Sequence, residues 1–508
     1  MVVKINSFTF FGMNVIKAEI EVDIQVKMPE FEIVGMAGQS VRESCKRIET
    51  AIQNSGFHFP GKRIIVNLAP AGIKKTGTFF DFPIAIGILC EKYEMSNLEY
   101  TVIIGELSLN GDLRKIPGGL LIAMHAKKLG FTEILCPEEN GKEMSIVKGI
   151  NIVPIKNLRE AVEHLCGIAP KKPLPNLSVE VFQKDPEGYT GSGDMSEVCG
   201  QLVAKRGIEV ACAGGHNMLM IGPPGTGKTM LAKRIPGILP PLTLEESLET
   251  TMIYSIAGMI DPENPLILKR PFRSPHHTSS DISITGGGKF PKPGEVSLSH
   301  NGVLYLDEFQ LFKSNVLQVL RQPMEDGKIS ISRAEGMVEF PSRFMLVASM
   351  NPSYKNTDID RWEVEEIKSM LKKISSPLLD RIDMHISVSR VKINEINNSL
   401  PQESSAKIRE RIIKARELQR ERFRNSKIFT NAQMSHKEVI AFCEMTTGAK
   451  SLLEVIMQKN FLSIRAYEKI LKVSRTIADL ENSEKILEHH VTEALQYRCL
   501  DRILFSNI

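Results

Sequence analysis

Hydrophobic and polar residues along the first third of the chain follow both strand and helix periodicities. Residues Ala18–Val26 alternate between apolar and polar side chains, which predicts a half-buried strand. Val41–Asn54 has helical spacing, and Asp81–Glu91 is almost wholly apolar, which predicts a buried helix. We therefore expect residues 1–168 to form a mixed α/β domain. Further strands are predicted over Arg63–Asn67, Ile103–Leu109 and Gly130–Leu135, and a further helix over Gly118–Leu129.

The pattern changes twice in the rest of the chain. Residues 169–194 are rich in Pro, Gly, Lys and Asp, a composition typical of a linker. Residues 195–393 contain short apolar strands and form the predicted α/β core domain. Residues 394–508 are predicted to be a helical lid, with the charged, amphipathic helix Ser405–Phe423, whose basic face either is solvated or touches DNA.

Composition and charge limit the class of protein. A chain of 508 residues is too long for one hydrophobic core, so two to four domains are expected. The net charge of +4, from 64 basic and 60 acidic residues, is too mild to identify a nucleic-acid binder. We expect a cytoplasmic protein with no membrane association. The eight cysteines are scattered and lack zinc spacing, and the sequence shows neither a signal-peptide pattern nor an apolar segment of membrane length.

A phosphate-binding loop is the strongest chemical signal. A strand is predicted before it, over His216–Ile221, and a helix after it, over Thr229–Ile235, which Pro236 should end. In such a loop the N–H groups cradle phosphate oxygens, Lys228 reaches the β- and γ-phosphates and the Thr229 hydroxyl binds Mg²⁺. The sequence therefore predicts ATP and Mg²⁺ as ligands. The loop has the form G-x-x-x-x-G-K-[ST] and consists of Gly222, Pro223, Pro224, Gly225, Thr226, Gly227, Lys228 and Thr229.

A second motif supplies the carboxylates that an ATPase needs. Gly302–Glu308 is an apolar strand that ends in Asp-Glu, the form of a Walker B motif. Asp307 would hold Mg²⁺ through water, and Glu308 would position and deprotonate the attacking water. The alternative is a strand that ends by chance in two carboxylates at a sheet edge. The distance along the chain between Gly302–Glu308 and the phosphate-binding loop favours the ATPase interpretation.

These motifs and the order of the later elements resemble AAA+ ATPases. The resemblance implies that Gly200 and Gln201 lie beside the adenine. It also implies that Asn351, at the end of the strand Arg343–Asn351, is sensor 1, which orients the water or contacts the γ-phosphate. The alternative is that Asn351 forms a turn before Pro352.

Two arginines match further AAA+ positions. Arg381 would act as a finger from a neighbouring subunit, which requires a ring or another head-to-tail oligomer. The alternative is a surface ion pair with Asp380 or Asp383. Arg465 matches sensor 2, an arginine of the lid that touches the γ-phosphate, and the alternative is an ordinary arginine on a helix surface.

Two insertions indicate the clade. The first covers residues 270–295, contains Gly286–Gly288 and includes His276 and His277, for which a phosphate-contacting or structural role is favoured over metal binding. The second, Gly327–Phe340, predicts a β-hairpin. Such a hairpin resembles that of the AAA+ clade of MCM helicases and the magnesium-chelatase ATPase subunit, in whose ring helicases a basic residue grips the DNA backbone. Arg333 matches that residue, and the alternative is a solvated arginine.

The N-terminal region resembles the proteolytic domain of Lon, through the segments Gly105–Leu120 and Cys136–Asn140. Lon uses a Ser–Lys dyad, and the serine motif aligns with Lys75–Phe79. Phe79 and Leu121 stand near the two dyad positions, and neither can attack a carbonyl or accept a proton. We therefore expect a Lon-like α+β fold without protease activity.

The whole chain is similar to the ComM/YifB family of magnesium-chelatase-like proteins, through Arg273–Thr278, His300–Glu308, Pro377–Asp383 and Ser463–Ala466. The resemblance implies a hexameric, ATP-driven DNA motor that promotes branch migration on single-stranded or branched DNA without sequence specificity, and aids integration of incoming DNA in natural transformation. Many relatives carry cysteines after the sensor asparagine; Asn351–Thr357 has none, so zinc is not expected. Two alternatives stay open: a chelatase-type remodeller of a protein partner, and a non-motor assembly factor.

Overall fold

The described residues form two large β-sheets and three two-stranded sheets, which are followed by a helical part. The computed structural model describes residues 2–35, 43–70, 78–177, 193–288, 291–333, 336–351, 370–371, 374, 376–390, 402–426, 428–460 and 463–500. In residues 2–177 the elements are, in chain order, β1 (Val2–Phe11), β2 (Asn14–Gln25), β3 (Glu30–Val34), α1 (Ser44–Asn54), β4 (Arg63–Ala69), α2 (Asp81–Leu89), β5 (Thr101–Ile103), β6 (Glu106–Leu107), β7 (Leu113–Arg114), α3 (Gly119–Lys128), β8 (Glu133–Pro137), α4 (Glu138–Met144), β9 (Asn151–Ile155) and α5 (Leu158–Leu165).

Seven of these strands form one mixed sheet in the order β3-β4-β2-β1-β5-β8-β9. The long hairpin β1–β2 pairs antiparallel from Val2 with Asp23 to Phe11 with Asn14. Every residue of α2 is buried, and α2 packs against both strands of the hairpin, which explains why its sequence is apolar on all sides. Residues 2–177 therefore build a hydrophobic core, which Ile256 from the following part of the chain also joins.

The two positions aligned with the Lon dyad lie in this core. Phe79 and Leu121 are buried, and the Phe79 ring packs against Phe10 and Phe80 at centroid distances of 6.0 and 4.8 Å. Both side chains thus serve packing. Residues 75–77 of the aligned segment lie outside the described residues, and the likeness to Lon stays a prediction.

The second sheet belongs to residues 193–390. Five parallel strands stand in the order β11-β14-β17-β10-β18. The elements in chain order are a 3₁₀ turn (Met195–Glu197), α6 (Leu202–Gly214), β10 (Met218–Ile221), α7 (Lys228–Ile238), α8 (Leu244–Ala257), β11 (Phe272–Arg273), α9 (Asp281–Thr285), β12 (Gly286–Gly287), β13 (Lys292–Pro293), α10 (Glu295–Leu298), β14 (Val303–Leu306), a 3₁₀ turn (Phe309–Leu311), α11 (Ser314–Val319), α12 (Arg321–Asp326), β15 (Lys328–Arg333), β16 (Gly336–Pro341), β17 (Met345–Met350), α13 (Ser376–Leu379) and β18 (Met384–Ser387).

Helices follow in residues 402–500 and pack onto this sheet's helices. Helix α14 (Ser405–Arg422) contacts α6 and α7. Helix α17 (Ile464–Leu480) contacts α6, α14 and α18 (Glu488–Gln496). A parallel sheet with a phosphate-binding loop after its first strand, covered by helices, confirms the predicted α/β P-loop fold. No helix in the described part of the chain is long and apolar enough to cross a membrane. The elements are α14 (Ser405–Arg422), a 3₁₀ turn (Asn431–Gln433), α15 (His436–Phe442), α16 (Thr447–Asn460), α17 (Ile464–Leu480) and α18 (Glu488–Gln496).

Three predicted boundaries were wrong. The strand over Ile103–Leu109 is broken, because Gly105 exchanges backbone hydrogen bonds with Phe79 and Phe82 at the start of α2. Pro236 does not end α7; it lies in the last turn, where its missing N–H costs one hydrogen bond. The first insertion begins with β11, which is an edge strand of the core sheet.

Helix α8 connects the two sheets' domains. Glu143 of α4 is buried and accepts hydrogen bonds from the Leu120 N–H, at 3.1 Å, and from the Ser255 hydroxyl of α8. The Gly118 N–H donates to the Ser255 carbonyl oxygen at 2.9 Å. Lys142 adds an ion pair with Glu263 at 2.5 Å, beyond the end of α8. The N-terminal domain is therefore docked on one helix of the ATPase core.

The same helix is also fixed to the core sheet. Glu249 accepts a hydrogen bond from His300 Nε2 at 3.2 Å and pairs with Arg343. The hydrogen bond from His300 and the charge of Arg343 outweigh burial and lower the pKa of Glu249 to about 2. His300 and Arg343 precede β14 and β17, so α8 holds the edge of the sheet at which those strands begin.

We expect Glu143→Ala to loosen the N-terminal domain. The substitution leaves the Leu120 N–H and the Ser255 hydroxyl buried without their acceptor, at a cost of about 1–3 kcal/mol for each. The effect is measured by the rate of limited proteolysis within residues 2–177 and by the urea unfolding of the same residues. Glu139→Ala is the matched control, because Glu139 is exposed on the same helix. Equal behaviour of the two variants would contradict the docking role of Glu143.

Candidate ATP site

The phosphate-binding loop joins the carboxyl end of β10 to the amino end of α7. Gly225 and Gly227 have φ of 79° and 88°, a region that disfavours residues with a β-carbon. The Gly222 N–H donates to the Met350 carbonyl oxygen at 3.2 Å, which joins the loop to the end of β17. A helix amino end beside a glycine loop, at the carboxyl edge of a parallel sheet, is suited to bind phosphate.

Lys228 is buried inside this loop. Its ammonium donates to the carbonyl oxygens of Gly222 and Pro223, each at 2.7 Å. Burial lowers the pKa of Lys228 to about 8, and Asp307 offsets only part of this effect. Two neutral carbonyl groups thus stabilise this charge incompletely, and a phosphate would stabilise it better.

Oxygen atoms suited to Mg²⁺ stand beside the lysine. Thr229 Oγ1 donates to Asp307 Oδ2 at 2.9 Å, and the Ser349 hydroxyl donates to Oδ1 of the same carboxylate. Burial raises the pKa of Asp307, but hydrogen bonds from Ser349, Thr229 and Tyr305 outweigh it, so the pKa is lowered and the carboxylate stays charged. A hydroxyl and a carboxylate this close together are the donors that a hard cation takes, so these residues fit Mg²⁺.

Ser349 and Tyr305 are site residues that the sequence reasoning missed. The Tyr305 hydroxyl lies 3.3 Å from Thr229 Oγ1, and burial raises the pKa of this phenol to about 12. Each residue lies two positions before a predicted site residue on its strand, Asp307 or Asn351. Because side chains two apart share one face of a strand, this spacing was the available signal.

Glu308, the predicted general base, has a histidine beside it. Its backbone is left-handed, with φ of 52°, and its N–H donates to Asp307 Oδ1 at 3.0 Å. His277 Nδ1 lies 3.5 Å from Glu308 Oε2, and the rings of His276 and His277 lie tilted against each other with their centroids 4.1 Å apart. The first insertion therefore brings His277 beside Glu308, a contact that the sequence did not indicate.

Asn351 follows β17, between the strands that carry Asp307 and the phosphate-binding loop. Its Oδ1 atom is buried, and no described residue donates a hydrogen bond to it. A buried amide oxygen without a partner calls for an explanation, and a water at the nucleotide would supply the missing donor. This position fits the predicted sensor role.

Gln201 and Gly200 lie on the other side of the loop. Gln201 Nε2 donates to the carbonyl oxygens of Ser389, at 2.5 Å, and Thr226, at 3.3 Å. Both residues have left-handed backbones, with φ of 66° at Gly200 and 56° at Gln201. The segment before α6 is thereby tied to the phosphate-binding loop and to the end of β18, which fits a place beside the base.

Arg381 lies at the opposite edge of the sheet from the phosphate-binding loop. Its carbonyl oxygen accepts a hydrogen bond from Asn217, which precedes β10, whereas the loop follows β10. The five residue-to-residue steps from Asn217 to Gly222 span roughly 16 Å at about 3.3 Å each. An arginine side chain reaches roughly 7 Å, so Arg381 does not reach the loop of its own chain.

The guanidinium of Arg381 pairs with Glu325 and donates to the Pro377 carbonyl oxygen at 2.6 Å. The expected alternative, a pair with Asp380 or Asp383, was therefore wrong, because Glu325 of α12 is the carboxylate that meets it. Asp380 pairs instead with Arg465 at 2.8 Å. Burial, and then the charges of Arg321 and Arg465, lower the pKa of Arg381. The two predicted arginines thus lie together, and both lie away from the loop.

The remaining predicted contact is on the hairpin. Strands β15 and β16 pair antiparallel from Lys328 with Pro341 to Arg333 with Gly336. Arg333 ends β15, and its side chain lies outside the described part. The structure does not bring Arg333 to the nucleotide residues.

Glu481, His489 and His490 form a cluster that could suggest a metal site. The Leu487 N–H donates to His490 Nδ1 at 2.9 Å, so neutral His490 carries its proton on Nε2. That proton points at Glu481, at 3.1 Å, and occupies the nitrogen that a metal would need. The cluster is a hydrogen-bonded group.

Comparison with known proteins covers nearly the whole chain. The family described as magnesium chelatase, subunit ChlI, matches residues 194–396, and related descriptions match residues 20–140 (subunit ChlI of Mg-chelatase) and 402–498 (subunit ChlI C-terminal). Competence protein ComM of Haemophilus influenzae is 40% identical over 506 residues, covering 97% of this chain and 96% of that protein. The chain belongs to the ComM/YifB family.

Two further relatives show the range of this family. The uncharacterized protein YifB of Salmonella typhimurium is 39% identical over 500 residues, covering 97% of this chain and 96% of that protein. The chloroplastic magnesium-chelatase subunit ChlI of Glycine max is 26% identical over 199 residues, which cover 39% of this chain and 37% of that subunit. The likeness to ComM and YifB thus includes the N-terminal domain, and the likeness to the soybean subunit covers a part of the chain.

We expect ATP affinity to fall as the pH rises through about 8. Phosphate binding needs the charged form of Lys228, and the pKa of this buried lysine is about 8, so binding above that pH requires proton uptake. Affinity for a fluorescent ATP analogue should drop about tenfold between about pH 7 and about pH 9. Lys228→Ala should bind weakly with little pH dependence. The same slope in both proteins would show that another group titrates.

Proposed function

We propose that the protein is an ATP hydrolase that assembles head to tail into a ring and drives branch migration of DNA. The observation that carries the ATPase part is the meeting of Lys228, Thr229, Asp307, Glu308 and Asn351 at one edge of the core sheet. Parallel strands β10, β14 and β17 deliver them there from distant parts of the sequence. Membership of a magnesium-chelatase-like AAA+ family supports the same activity.

The roles follow from the positions of the side chains. Lys228 exchanges carbonyl partners for phosphate oxygens, and Thr229 and Asp307 would hold Mg²⁺, which supplies charge neutralisation at the phosphates. Glu308 takes the proton of the attacking water, and Asn351 Oδ1 accepts a hydrogen bond from that water and orients it. A protonated His277, 3.5 Å from the Glu308 carboxylate, would attract that side chain.

Arg381 and Arg465 complete the site of a neighbouring subunit. Both lie too far from the loop of their own chain, yet a guanidinium is the group that best stabilises the charge of phosphoryl transfer. A head-to-tail ring brings the edge that carries the arginines against the next subunit's loop. We propose a hexamer, in which Arg381 exchanges Glu325 for a phosphate oxygen.

The DNA part of the proposal rests on the hairpin and on the relative. Arg333 ends β15, in a hairpin that projects from the core between α12 and β17. Contact of an arginine with backbone phosphates would give affinity without sequence specificity. The name of the 40%-identical relative, a competence protein, supports action on incoming DNA in transformation or recombination.

A chelatase-type remodeller of a protein partner is the second candidate. The descriptions of the matching families and the similarity to the soybean subunit favour it. The two candidates differ in the effect of DNA on the rate of ATP hydrolysis. The rate of a remodeller would not change when DNA is added.

ATP-dependent strand displacement on forked and three-stranded DNA is the direct test. We expect displacement by the wild type and none by Glu308→Gln, which should keep ATP binding and lose about 10²–10⁴-fold in turnover with its base. Robust ATP hydrolysis without displacement or DNA stimulation would favour the remodeller. Normal turnover by Glu308→Gln would overturn the role of Glu308.

Mixed rings test the arginine in trans. Lys228→Ala and Arg381→Ala should each be nearly inactive, with a loss of about 10³-fold or more for the arginine. Mixed one to one, they should recover about a quarter of the wild-type ATPase, because one interface in four pairs an intact loop with an intact arginine. Lys228→Ala mixed with Glu308→Gln is the matched control, since no interface is complete. Absence of recovery in the first mixture would contradict action in trans.

A further inference from the structure

The hairpin β15–β16 has an apolar face, and the N-terminal domain covers it. Ile329, Val338 and Phe340 of the hairpin are almost fully buried. Their partners include Phe11 and Met13, which flank the tight turn between β1 and β2. The cover therefore comes from a segment more than three hundred residues away in the sequence.

The fit between the turn and strand β16 of the hairpin is close. Gly12, in the turn, has φ of 62°, and a β-carbon on it would overlap Val338 Cγ1. Two residues earlier on β16, Phe11 Cε1 lies 3.0 Å from the position that a β-carbon of Gly336 would take. Glycine at both positions thus lets the Val338 side chain approach the turn and the Phe11 ring approach β16.

Two further attachments hold the N-terminal domain and the hairpin. The domain is docked on α8 through Glu143 and Ser255, and α8 is held to the core through Glu249 and Arg343. Arg343 itself follows β16, so the attachment on α8 meets the base of the hairpin. The hairpin is thus fixed at its base by the core and along its face by the N-terminal domain.

We infer that the N-terminal domain is a brace that carries the hairpin, so that the two move as one body through each nucleotide cycle. Separation would expose three large apolar side chains of the hairpin, together with Phe11 and Met13, to water, which strongly disfavours it. Movement of the hairpin then requires movement of the whole domain on α8. The consequence for DNA rests on the proposed function, whereas the contact itself can be tested without DNA.

A reversible crosslink tests the brace directly. The position of a β-carbon on Gly12 lies 3.1 Å from Val338 Cβ, about 0.7 Å short of the usual disulfide spacing, so a small shift admits a disulfide in Gly12→Cys/Val338→Cys. We expect ATP hydrolysis and strand displacement by the oxidised protein to stay within about twofold of the same protein after reduction. Val338→Cys alone, oxidised and reduced in the same way, controls for the action of the oxidant on the other cysteines. Loss of activity on oxidation that reductant restores would overturn the inference, because the contact would then have to open.

Hydrogen exchange of the amides in 328–333 and 336–341 gives a second, DNA-free test. Exchange should be equal, within about twofold, without nucleotide, with ADP, and in Glu308→Gln with ATP. Phe11→Ala should speed it by about tenfold or more, whereas Met28→Ala, at an exposed turn of the same domain, should not. Faster exchange in Glu308→Gln with ATP, a protein in which Phe11 is intact, would overturn the brace. An unchanged exchange rate in Phe11→Ala would also overturn it. Absence of displacement by the wild type, with unchanged exchange, would count against the proposed DNA function and leave the brace standing.

Discussion

The hydrogen bond between Thr229 and Asp307 is the contact on which the site depends. It joins the first turn of α7 to the end of β14, two segments separated by more than seventy residues. The parallel sheet makes this contact possible, because the carboxyl ends of β10, β14 and β17 meet at one edge. Ser349 on the neighbouring strand β17 and Tyr305 on β14 itself hydrogen-bond to the same carboxylate, so the cation ligands are preorganised by the core sheet.

The same geometry separates the site from the arginines. A strand of four residues cannot bring both of its ends to one place, so whatever precedes β10 lies across the sheet from whatever follows it. Arg381 and Arg465 lie on the far side and are held by carboxylates, Glu325 and Asp380. Neither arginine reaches the phosphate-binding loop of its own chain. The proposed mechanism, in which both arginines act on the phosphates, therefore requires an oligomer.

The predictable part of this protein is the part whose chemistry is local in sequence. The phosphate-binding loop and the strand that ends in Asp307 could be recognised because one short segment carries both the fold signal and the reactive groups. The contact of His277 with Glu308, and that of Arg465 with Asp380, join distant segments, and no periodicity encodes them. The prediction of an unbroken strand through Gly105 failed for the same reason. The backbone partners of Gly105 lie at the start of α2, and sequence spacing does not predict where α2 packs.

The contact between the β1–β2 turn and the hairpin would give the N-terminal domain a part in the proposed motor. A two-stranded hairpin alone is marginally stable, and the proposed contact with DNA requires one that resists bending. Phe11 and Met13 pack against the apolar face of the hairpin, and α8 contacts both the core sheet and the N-terminal domain. If the N-terminal domain and the hairpin move as one body, a movement of β14 or β17 would reach the hairpin through its base at Arg343 and also through the N-terminal domain. Attachment at two places would stiffen the hairpin, and a stiff hairpin would carry a small movement at the phosphates to a distant contact.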